Sequence, residues 1–298
     1  MRSLFLSMSF LVIPLLGFTQ ASVDANEIIS KLNRGEAVHY ENVTITGDVD
    51  FRMIKDKENE SDFELIFKDN ETYKYHVNAP LKFTDCVFKG KFIAYFNNDD
   101  DDVLHIALFH EDVLFRNCSF EDDFLVKYSE FDEQAGFAGC FFNDLALFKY
   151  AEFNSSVDFS NTTYEEDANF KYTEFPKEAN FRNSVFNEEA NFKYTEFDEN
   201  VNFTNCVFHK LANFKYSDFD DYVDFSEVNF KSDAIFKYAE FPDGVSFENA
   251  VFEDYADFKY AKLRNPVELN NVSFEGATSF KYTTIEGKEF TTFLLNNR

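Results

Sequence analysis

The triplet Phe-Lys-Tyr returns at a fixed step of 22 residues, and this period limits the fold more than any other feature of the sequence. The copies stand at 148–150, 170–172, 192–194, 214–216, 236–238, 258–260 and 280–282, and Val126-Lys127-Tyr128 adds one earlier copy. A fixed period of this length is typical of repeat architectures, in which one small structural unit is stacked many times. The period therefore predicts a solenoid.

Within each copy the bulky residues follow one another at spacings of 5, 6, 5 and 6, which gives four columns of equivalent positions. The first holds Val126, Phe148, Phe170, Phe192, Phe214, Phe236, Phe258 and Phe280. The second holds Phe131, Phe153, Phe175, Phe197, Phe219, Phe241, Leu263 and Ile285. The third holds Phe115, Phe137, Phe159, Phe181, Phe203, Phe225, Phe247 and Leu269. The fourth holds Phe120, Phe142, Tyr164, Phe186, Phe208, Phe230, Phe252 and Phe274.

A small residue stands two positions before most of these large residues, as Ala168 stands before Phe170 and Thr173 before Phe175. Positions two apart on a strand point to the same side of the sheet, so each pair predicts a short strand with both side chains inward. Apolar spacings of 5 and 6 form no stripe on a helix of period 3.6. Four short strands per 22 residues therefore predict an all-β, four-sided coil.

The composition agrees with a stacked aromatic core. The chain has 298 residues, of which 42 are Phe and 15 are Tyr, with only 9 Gly and 5 Pro. A buried Phe contributes roughly 1.5–3 kcal/mol, whereas ordering one residue of backbone costs about 1–2 kcal/mol. Four Phe cannot offset the ordering of 22 residues, so each coil must gain stability from its neighbours, as repeat arrays do.

The unit Ala168-Asn169-Phe170-Lys171-Tyr172, repeated as Ala212-Asn213-Phe214-Lys215-Tyr216, resembles the pentapeptide repeat. The resemblance is strong over 115–285 and weak over 40–95. It implies a right-handed quadrilateral β-helix. The sequence departs from strict fives by one added residue at alternate corners, which leaves the corner geometry to be determined.

The rest of the chain predicts the ends and interruptions of this helix. Residues 1–21 have the charged, then apolar, then small-residue order of a signal peptide, and 22–38 predict an N-terminal capping helix around Asn26–Arg34. Residues 39–114 predict irregular first coils, with insertions near 52–78 and 94–104 and the third column continued back through Phe83 and Phe51. The regular β-helix spans 115–285, and 286–298 predict a C-terminal cap.

All four cysteines fall at the small inward position of the fourth column, namely Cys86, Cys118, Cys140 and Cys206. Buried cysteines commonly act as small apolar fillers. The alternative is a disulfide between neighbouring coils, such as Cys118–Cys140, although parallel side chains in register give poor disulfide geometry.

Three outward rows are candidate binding features. The Lys residues from Lys127 to Lys281 and the Tyr residues from Tyr128 to Tyr282 form adjacent rows, and an acidic row from Glu130 to Glu240 lies round one corner. The expected role of the two charged rows is mutual neutralisation. The alternative is a binding ladder, whose central members are Lys149, Tyr150, Lys171, Tyr172, Lys193, Tyr194, Lys215 and Tyr216.

Catalytic and cofactor motifs are not found in the sequence, and we expect no enzyme and no cofactor. The five His residues follow no metal or triad spacing, and there is no phosphate-binding loop or nucleophile elbow. The acidic run Asp99, Asp100, Asp101 and Asp102 is a weak calcium candidate, because it lacks the alternating ligands of an EF-hand loop.

The net charge of −27 argues against direct binding to nucleic acid or anionic lipid. The leading functional hypothesis is an exported, non-enzymatic scaffold in the periplasm, on the cell surface or secreted, with a protein-binding, adhesion or envelope-structural role. One alternative, implied by the family resemblance, is a DNA mimic that binds a topoisomerase, which the leader disfavours. Another is a glycan-binding or glycan-active β-helix. The partner is an unknown protein or glycan, no transmembrane segment is expected, and the C-terminal end could support a homodimer.

Overall fold

A computed structural model describes residues 20–60, 71–98 and 103–290 of the chain. Most of the predicted signal peptide, the calcium candidate Asp99–Asp102 and the last part of the predicted C-terminal cap lie outside the described residues. The described residues form one β-solenoid with four parallel sheets and one α-helix near its N-terminus. The predicted four-sided β-helix is confirmed.

Faces 1 and 2 are the sheets that carry the first and second Phe columns. Face 1 consists of Val49–Asp50, Phe92–Ile93, Phe124–Leu125, Ala146–Leu147, Ala168–Asn169, Ala190–Asn191, Ala212–Asn213, Ala234–Ile235, Ala256–Asp257 and Thr278–Ser279. Face 2 consists of Lys57–Glu60, Thr72–Val77, Tyr95–Asn98, Val103–Phe109, Glu130–Phe131, Glu152–Phe153, Glu174–Phe175, Glu196–Phe197, Asp218–Phe219, Glu240–Phe241, Lys262–Leu263, Thr284–Ile285 and Lys288–Glu289.

Faces 3 and 4 carry the third and fourth columns. Face 3 consists of Val38–Glu41, Leu81–Thr84, Val113–Arg116, Ala135–Gly136, Val157–Asp158, Ala179–Asn180, Val201–Asn202, Val223–Asp224, Val245–Ser246 and Val267–Glu268. Face 4 consists of Ala21–Asp24, Val43–Thr46, Val87–Phe88, Ser119–Phe120, Phe141–Phe142, Thr163–Tyr164, Val185–Phe186, Val207–Phe208, Asn229–Phe230, Val251–Phe252 and Ser273–Phe274.

The core is a lattice of Phe rings that stack within a column and meet edge-on between columns. Phe170 and Phe192 have centroids 4.8 Å apart and parallel planes, whereas Phe170 and Phe181 lie 5.4 Å apart at 90°. Aromatic rings favour both geometries, and each such pair adds about 0.5–1.5 kcal/mol beyond the burial of area. Because the stacked partners belong to neighbouring coils, this contact supplies the coil-to-coil stability that the sequence required.

The added residue of the sequence pattern distinguishes two kinds of corner. Where columns are five residues apart, the chain turns through one residue with positive φ, as at Tyr172 (φ 59°) and Asn183 (φ 61°). A backbone hydrogen bond closes each turn, from the Thr173 N–H to the Phe170 carbonyl (3.0 Å) and from the Ser184 N–H to the Phe181 carbonyl (3.1 Å). The corners with six-residue spacing do not use such a residue in the regular coils.

The N-terminal end of the coil is closed by the single helix, Ala25–Leu32. The Asp24 side chain accepts a hydrogen bond from the Asn26 N–H (2.8 Å) and caps the helix. Ala25, Ile28, Ile29 and Leu32 are buried against the first coil. The predicted capping helix is confirmed, and the strand Ala21–Asp24 that precedes it was not predicted.

The extension of the third column to Phe51 is wrong. The residue in register with Phe83 on face 3 is Tyr40, because Val38–Glu41 pairs with Leu81–Thr84. Phe51 follows Val49–Asp50 on face 1, in a short 3-10 turn that spans Phe51–Met53, and its ring packs 5.0 Å from that of Phe92. The equal 32-residue steps in the sequence were therefore coincidental at the first step.

Two antiparallel hairpins extend face 2 near its N-terminal end. Lys57–Glu60 pairs with Thr72–Val77, and Tyr95–Asn98 pairs with Val103–Phe109. The two longer strands also pair with each other in parallel, so both hairpins belong to the same sheet. These hairpins fall where the sequence pattern placed its insertions.

At the C-terminal end, Lys288–Glu289 turns back as an antiparallel partner of Thr284–Ile285. Phe290 packs on Phe280 with centroids 4.0 Å apart and covers the end of the first column. In the described parts of the chain, no helix has the length and apolar character needed to cross a bilayer.

Candidate functional site

The Lys-Tyr ladder is the pair of rows at the corner between faces 1 and 2, from Lys127 and Tyr128 to Lys281 and Tyr282. Its eight Tyr rings form one continuous stack, with centroids 4.7–4.8 Å apart and planes within 18° of parallel. The fold therefore brings together all the predicted ladder members, Lys149, Tyr150, Lys171, Tyr172, Lys193, Tyr194, Lys215 and Tyr216.

Each Lys ammonium group lies over the Tyr ring of its own coil. The Nζ-to-centroid distances run from 4.6 to 5.3 Å along the ladder. This is the range of a cation–π contact. Partial burial and the neighbouring Lys charge lower the pKa of Lys149, and the same two causes lower the pKa of Lys127 to about 8.

The Tyr residues of the ladder occupy an unusual backbone conformation. All eight have φ between 58° and 65°, a region that L-residues with a large side chain rarely adopt. The equivalent corner between faces 3 and 4 uses Asn at most coils, for example Asn161, Asn183 and Asn205. Asn suits positive φ, whereas other residues pay about 1–2 kcal/mol there. Backbone geometry alone would therefore favour Asn at both corners.

The stacking of the Tyr rings decides which parts of the ladder a ligand can touch. Each internal ring has another ring on both faces, so its faces are covered and its edge and hydroxyl remain. Tyr282 ends the stack and is 57% exposed. A sugar that stacks on an aromatic face has room only at that end. Along its length the ladder offers phenol hydroxyl and ammonium groups.

The acidic row on face 2 lies on the other side of the Tyr row. Glu130, Glu152, Glu174, Glu196, Asp218 and Glu240 occupy successive strands in direct register. Like charges directly opposite each other on neighbouring strands destabilise a sheet. Partial burial, and then the adjacent carboxylates, raise the pKa values of Glu152, Glu196 and Asp218.

The predicted neutralisation between the Lys and acidic rows is wrong as far as direct ion pairs are concerned. Across residues 20–60, 71–98 and 103–290, no ion pair joins a ladder Lys to a member of the acidic row. Glu240 instead pairs with Lys262, the next residue in its own row. The reason is that each ladder Lys folds onto its Tyr ring rather than across the corner.

The first rung of the ladder is already in use. Tyr95, from the second inserted hairpin, places its ring 6.0 Å from that of Tyr128. The Lys127 Nζ also donates a hydrogen bond to the Tyr95 hydroxyl (3.2 Å). This contact is an example, within the chain, of a protein segment seated on the ladder.

A chain of two histidines and two carboxylates lies on face 2 beside the inserted hairpins. His76 Nδ1 and His110 Nε2 are 2.8 Å apart, and His110 Nδ1 is 2.6 Å from Asp132 Oδ2. Glu58 lies 3.5 Å from the other nitrogen of His76. Such a chain can share protons along its length.

Sequence spacing did not reveal this histidine pair, because the two residues meet through cross-strand register. Val77 pairs with Phe109 across the parallel strands, so His76 and His110 flank that pair. The 32-residue step from Phe83 to Phe115 is the signal that could have found it. His105 is separate: its Nδ1 lies 2.8 Å from the Tyr75 hydroxyl, and burial lowers its pKa.

Two further features were not predicted from the sequence. Asp122, Asp123 and Asp144 bring three carboxylate oxygens within 4.8 Å of one another, but Lys91 already pairs with Asp123 there. A shallow groove of about 520 Å³ lies on face 3, between His39 and Glu178. Its surface mixes apolar and charged groups without converging polar side chains, so neither feature supports a catalytic site.

The cysteines are placed as expected. Cys86, Cys118, Cys140 and Cys206 are all free and buried. The prediction of small buried fillers is confirmed, and the alternative of a Cys118–Cys140 disulfide is wrong. A hydrogen bond with Cys140 and burial raise the pKa of Cys118 to about 12, so its thiol stays protonated.

Comparison with known proteins identifies the repeat. Overlapping segments of the chain match the family described as Pentapeptide repeats (9 copies), at residues 127–174, 148–196, 170–218, 192–238 and 214–262. No curated protein and no solved structure matches the chain. The matched segments coincide with the coils that carry the Lys-Tyr ladder and all four Phe columns. The chain is therefore a member of the pentapeptide-repeat family.

Proposed function

We propose that this pentapeptide-repeat protein is an exported, non-enzymatic scaffold that binds a protein partner through the corner between faces 1 and 2. The observation that carries the proposal is the Tyr row itself. Eight Tyr residues are held at positive φ, where Asn serves the same turn on the opposite corner. Residues kept in costly backbone conformations cluster at functional sites, so the row is a candidate contact surface.

The chemistry of the corner favours a protein over a neutral glycan. The internal ring faces are covered, whereas Tyr hydroxyls, Lys ammonium groups and a flanking row of carboxylates are presented in parallel. Tyr and charged side chains together suit a polar, hydrogen-bonding protein contact. The seating of Tyr95 on the first rung supports this choice, since it is itself a protein segment.

The non-enzymatic part of the proposal rests on the regularity of the coil. Pentapeptide-repeat β-solenoids are typically non-catalytic scaffolds, and the Phe columns leave no internal cavity for a substrate among the regular coils. Export rests on the leader-like order of residues 1–21, with Met1-Arg2 followed by an apolar stretch and Ala21. An exported rod with one contact corner fits an envelope-structural or adhesion role.

Site-specific photo-cross-linking in the native cell would test the contact. A photoreactive amino acid replaces Tyr194 on the ladder, and a matched variant carries it at Asn202, which lies on face 3 of the same coil. We expect ultraviolet light to give a discrete protein adduct from position 194, in the periplasmic or surface fraction, and none from position 202. Equal adducts from both positions, or none from 194, would contradict the proposal, as would a purely cytoplasmic location.

A further inference from the structure

Five consecutive coils present the same three rows in the same order across the corner. Lys, Tyr and a carboxylate recur at 149, 150 and 152, at 171, 172 and 174, at 193, 194 and 196, at 215, 216 and 218, and at 237, 238 and 240. The cationic row lies on the face 1 side of the Tyr stack and the anionic row on the face 2 side. The corner is thus a stripe whose two edges carry opposite charge.

Neither edge is neutralised by the other within the chain. In the described coils, the ladder Lys residues make cation–π contacts and no ion pair with the acidic row. The carboxylates face one another along their own row. Each edge therefore lacks the opposite row that would relieve it.

A second copy of the chain supplies that opposite row by symmetry. A two-fold rotation about an axis parallel to the solenoid keeps every coil at its own height and exchanges the left and right edges of the facing stripe. The Lys edge of one copy then meets the acidic edge of its partner, and the Tyr rows meet along the axis. The rungs match because both stripes have the same 4.7–4.8 Å repeat. Such an interface is isologous and closes after two subunits.

The other simple way to face two stripes fails on charge. A two-fold axis perpendicular to the solenoid, running across the stripe, reverses one rod and leaves the edges unexchanged. Lys would then face Lys and carboxylate would face carboxylate, which repels the copies. Charge alone therefore selects a parallel, side-by-side pair.

The ends of the stripe set its length. At one end the inserted hairpin occupies the first rung through Tyr95. At the other end Lys262 replaces the carboxylate of the acidic row and pairs with Glu240. Five rungs remain, over roughly 20 Å of the axis. Such a strip buries less than the ~800 Å² per partner of a standard interface, so association should be weak and sensitive to salt.

We propose that the partner bound at this corner is a second copy of the chain, in a parallel side-by-side dimer with Lys171, Lys193 and Lys215 facing Glu174, Glu196 and Asp218 of the other copy. The inference rests on the proposed function, because it names the partner of the same surface. It gives the exported scaffold a way to associate laterally.

A charge exchange between two variants tests the pairing. One variant carries Lys171→Glu, Lys193→Glu and Lys215→Glu, and the other carries Glu174→Lys, Glu196→Lys and Asp218→Lys. Sedimentation velocity is measured for the wild-type chain, for each variant alone and for their equimolar mixture, with folding checked by circular dichroism. We expect wild-type association that weakens at high salt, two monomeric variants, and a 1:1 heterodimer in the mixture. Variants that still self-associate, a mixture that stays monomeric, or a wild-type chain that is monomeric at every soluble concentration would overturn it.

Cysteine cross-linking tests the direction of the pair without changing its charges. Because all four native thiols are buried, Tyr150→Cys adds the single surface thiol. In the parallel dimer position 150 meets its own copy on the two-fold axis, so Tyr150→Cys should form a disulfide-linked dimer on mild oxidation. In an antiparallel pair it would instead link only to Tyr238→Cys in a mixture, and that result would refute the proposed arrangement. If the chain is monomeric while the photoreactive residue at 194 captures a different protein, this inference fails and the proposed function stands.

Discussion

Tyr172 and Tyr194 stack with centroids 4.8 Å apart and planes 1° from parallel, although both hold a backbone φ near 59°. Asn161 and Asn183 occupy the equivalent turn on the opposite corner, where the Asn183 Nδ2 donates to Asn161 Oδ1 at 3.0 Å. The two ladders solve the same backbone problem with different chemistry. The Asn ladder satisfies its turn locally, whereas the Tyr ladder gains a ring stack and an exposed row of phenols.

Exchanging the residues of the two corners separates backbone cost from stacking. Replacing Asn183 with Tyr should destabilise the protein by about 1–2 kcal/mol, because it adds a positive-φ aromatic without a Tyr neighbour. Replacing Tyr194 with Asn removes a similar cost but also two stacking contacts of about 0.5–1.5 kcal/mol each, so its net effect should be within about 1 kcal/mol. Denaturant unfolding of both variants would measure the difference. A loss from Tyr194→Asn as large as that from Asn183→Tyr would mean that the Tyr row serves stability alone.

Tyr164 is the one Tyr in the fourth column, and its hydroxyl is fully buried without a hydrogen-bond partner. Its ring lies between those of Phe142 and Phe186, at 5.2 and 4.7 Å. Tyr164→Phe should therefore raise the free energy of unfolding by about 1–3 kcal/mol, because it removes an unsatisfied polar group and keeps the ring. The matched substitution Phe186→Tyr should lower it by a similar amount. Unchanged stability in Tyr164→Phe would show that the hydroxyl is satisfied in solution.

The acidic row predicts an unusual pH dependence. The folded state raises the pKa values of Glu152, Glu196 and Asp218, so it binds protons more readily than the unfolded chain between the unfolded and folded pKa values. Stability from these groups therefore increases as the pH falls from neutral toward their unfolded pKa values, and decreases as the pH rises. The variant with Glu152→Gln, Glu196→Gln and Asp218→Asn should melt at a higher Tm than wild type at pH 7, with a smaller difference near pH 5. A difference that grows on acidification would contradict the assigned direction.

The buried thiols give a direct chemical prediction. Burial raises the pKa of Cys206, and its Sγ–H lies 2.9 Å from the Phe181 carbonyl oxygen, the place that the Ser184 hydroxyl takes on the neighbouring coil. We expect all four cysteines to be inert to an aromatic disulfide reagent in the native protein and to react completely in denaturant. Fast reaction of any thiol in the folded state would show that its coil opens.

The sequence predicted the columns, the four faces, the corner rows and the buried cysteines, because each depends only on the 22-residue period. It could not predict contacts made by residues outside that period. His76 and His110 meet because a 34-residue separation differs by two from the local 32-residue step. Tyr40 replaces Phe51 in the third column because the first coil has its own length. The Lys side chains fold onto Tyr rather than toward Glu, which is a choice of side-chain conformation that residue spacing does not encode.

The measurement that most directly tests the role of the corner is sedimentation velocity on a ladder variant that keeps its fold. Tyr172→Asn, Tyr194→Asn and Tyr216→Asn together place at this corner the residue that the opposite corner already uses. We predict that this variant retains a cooperative unfolding transition within a few degrees of wild type and sediments as a monomer where the wild-type chain associates. A folded variant that associates as strongly as wild type, or one that no longer folds, would contradict the assignment of the Tyr row to partner binding.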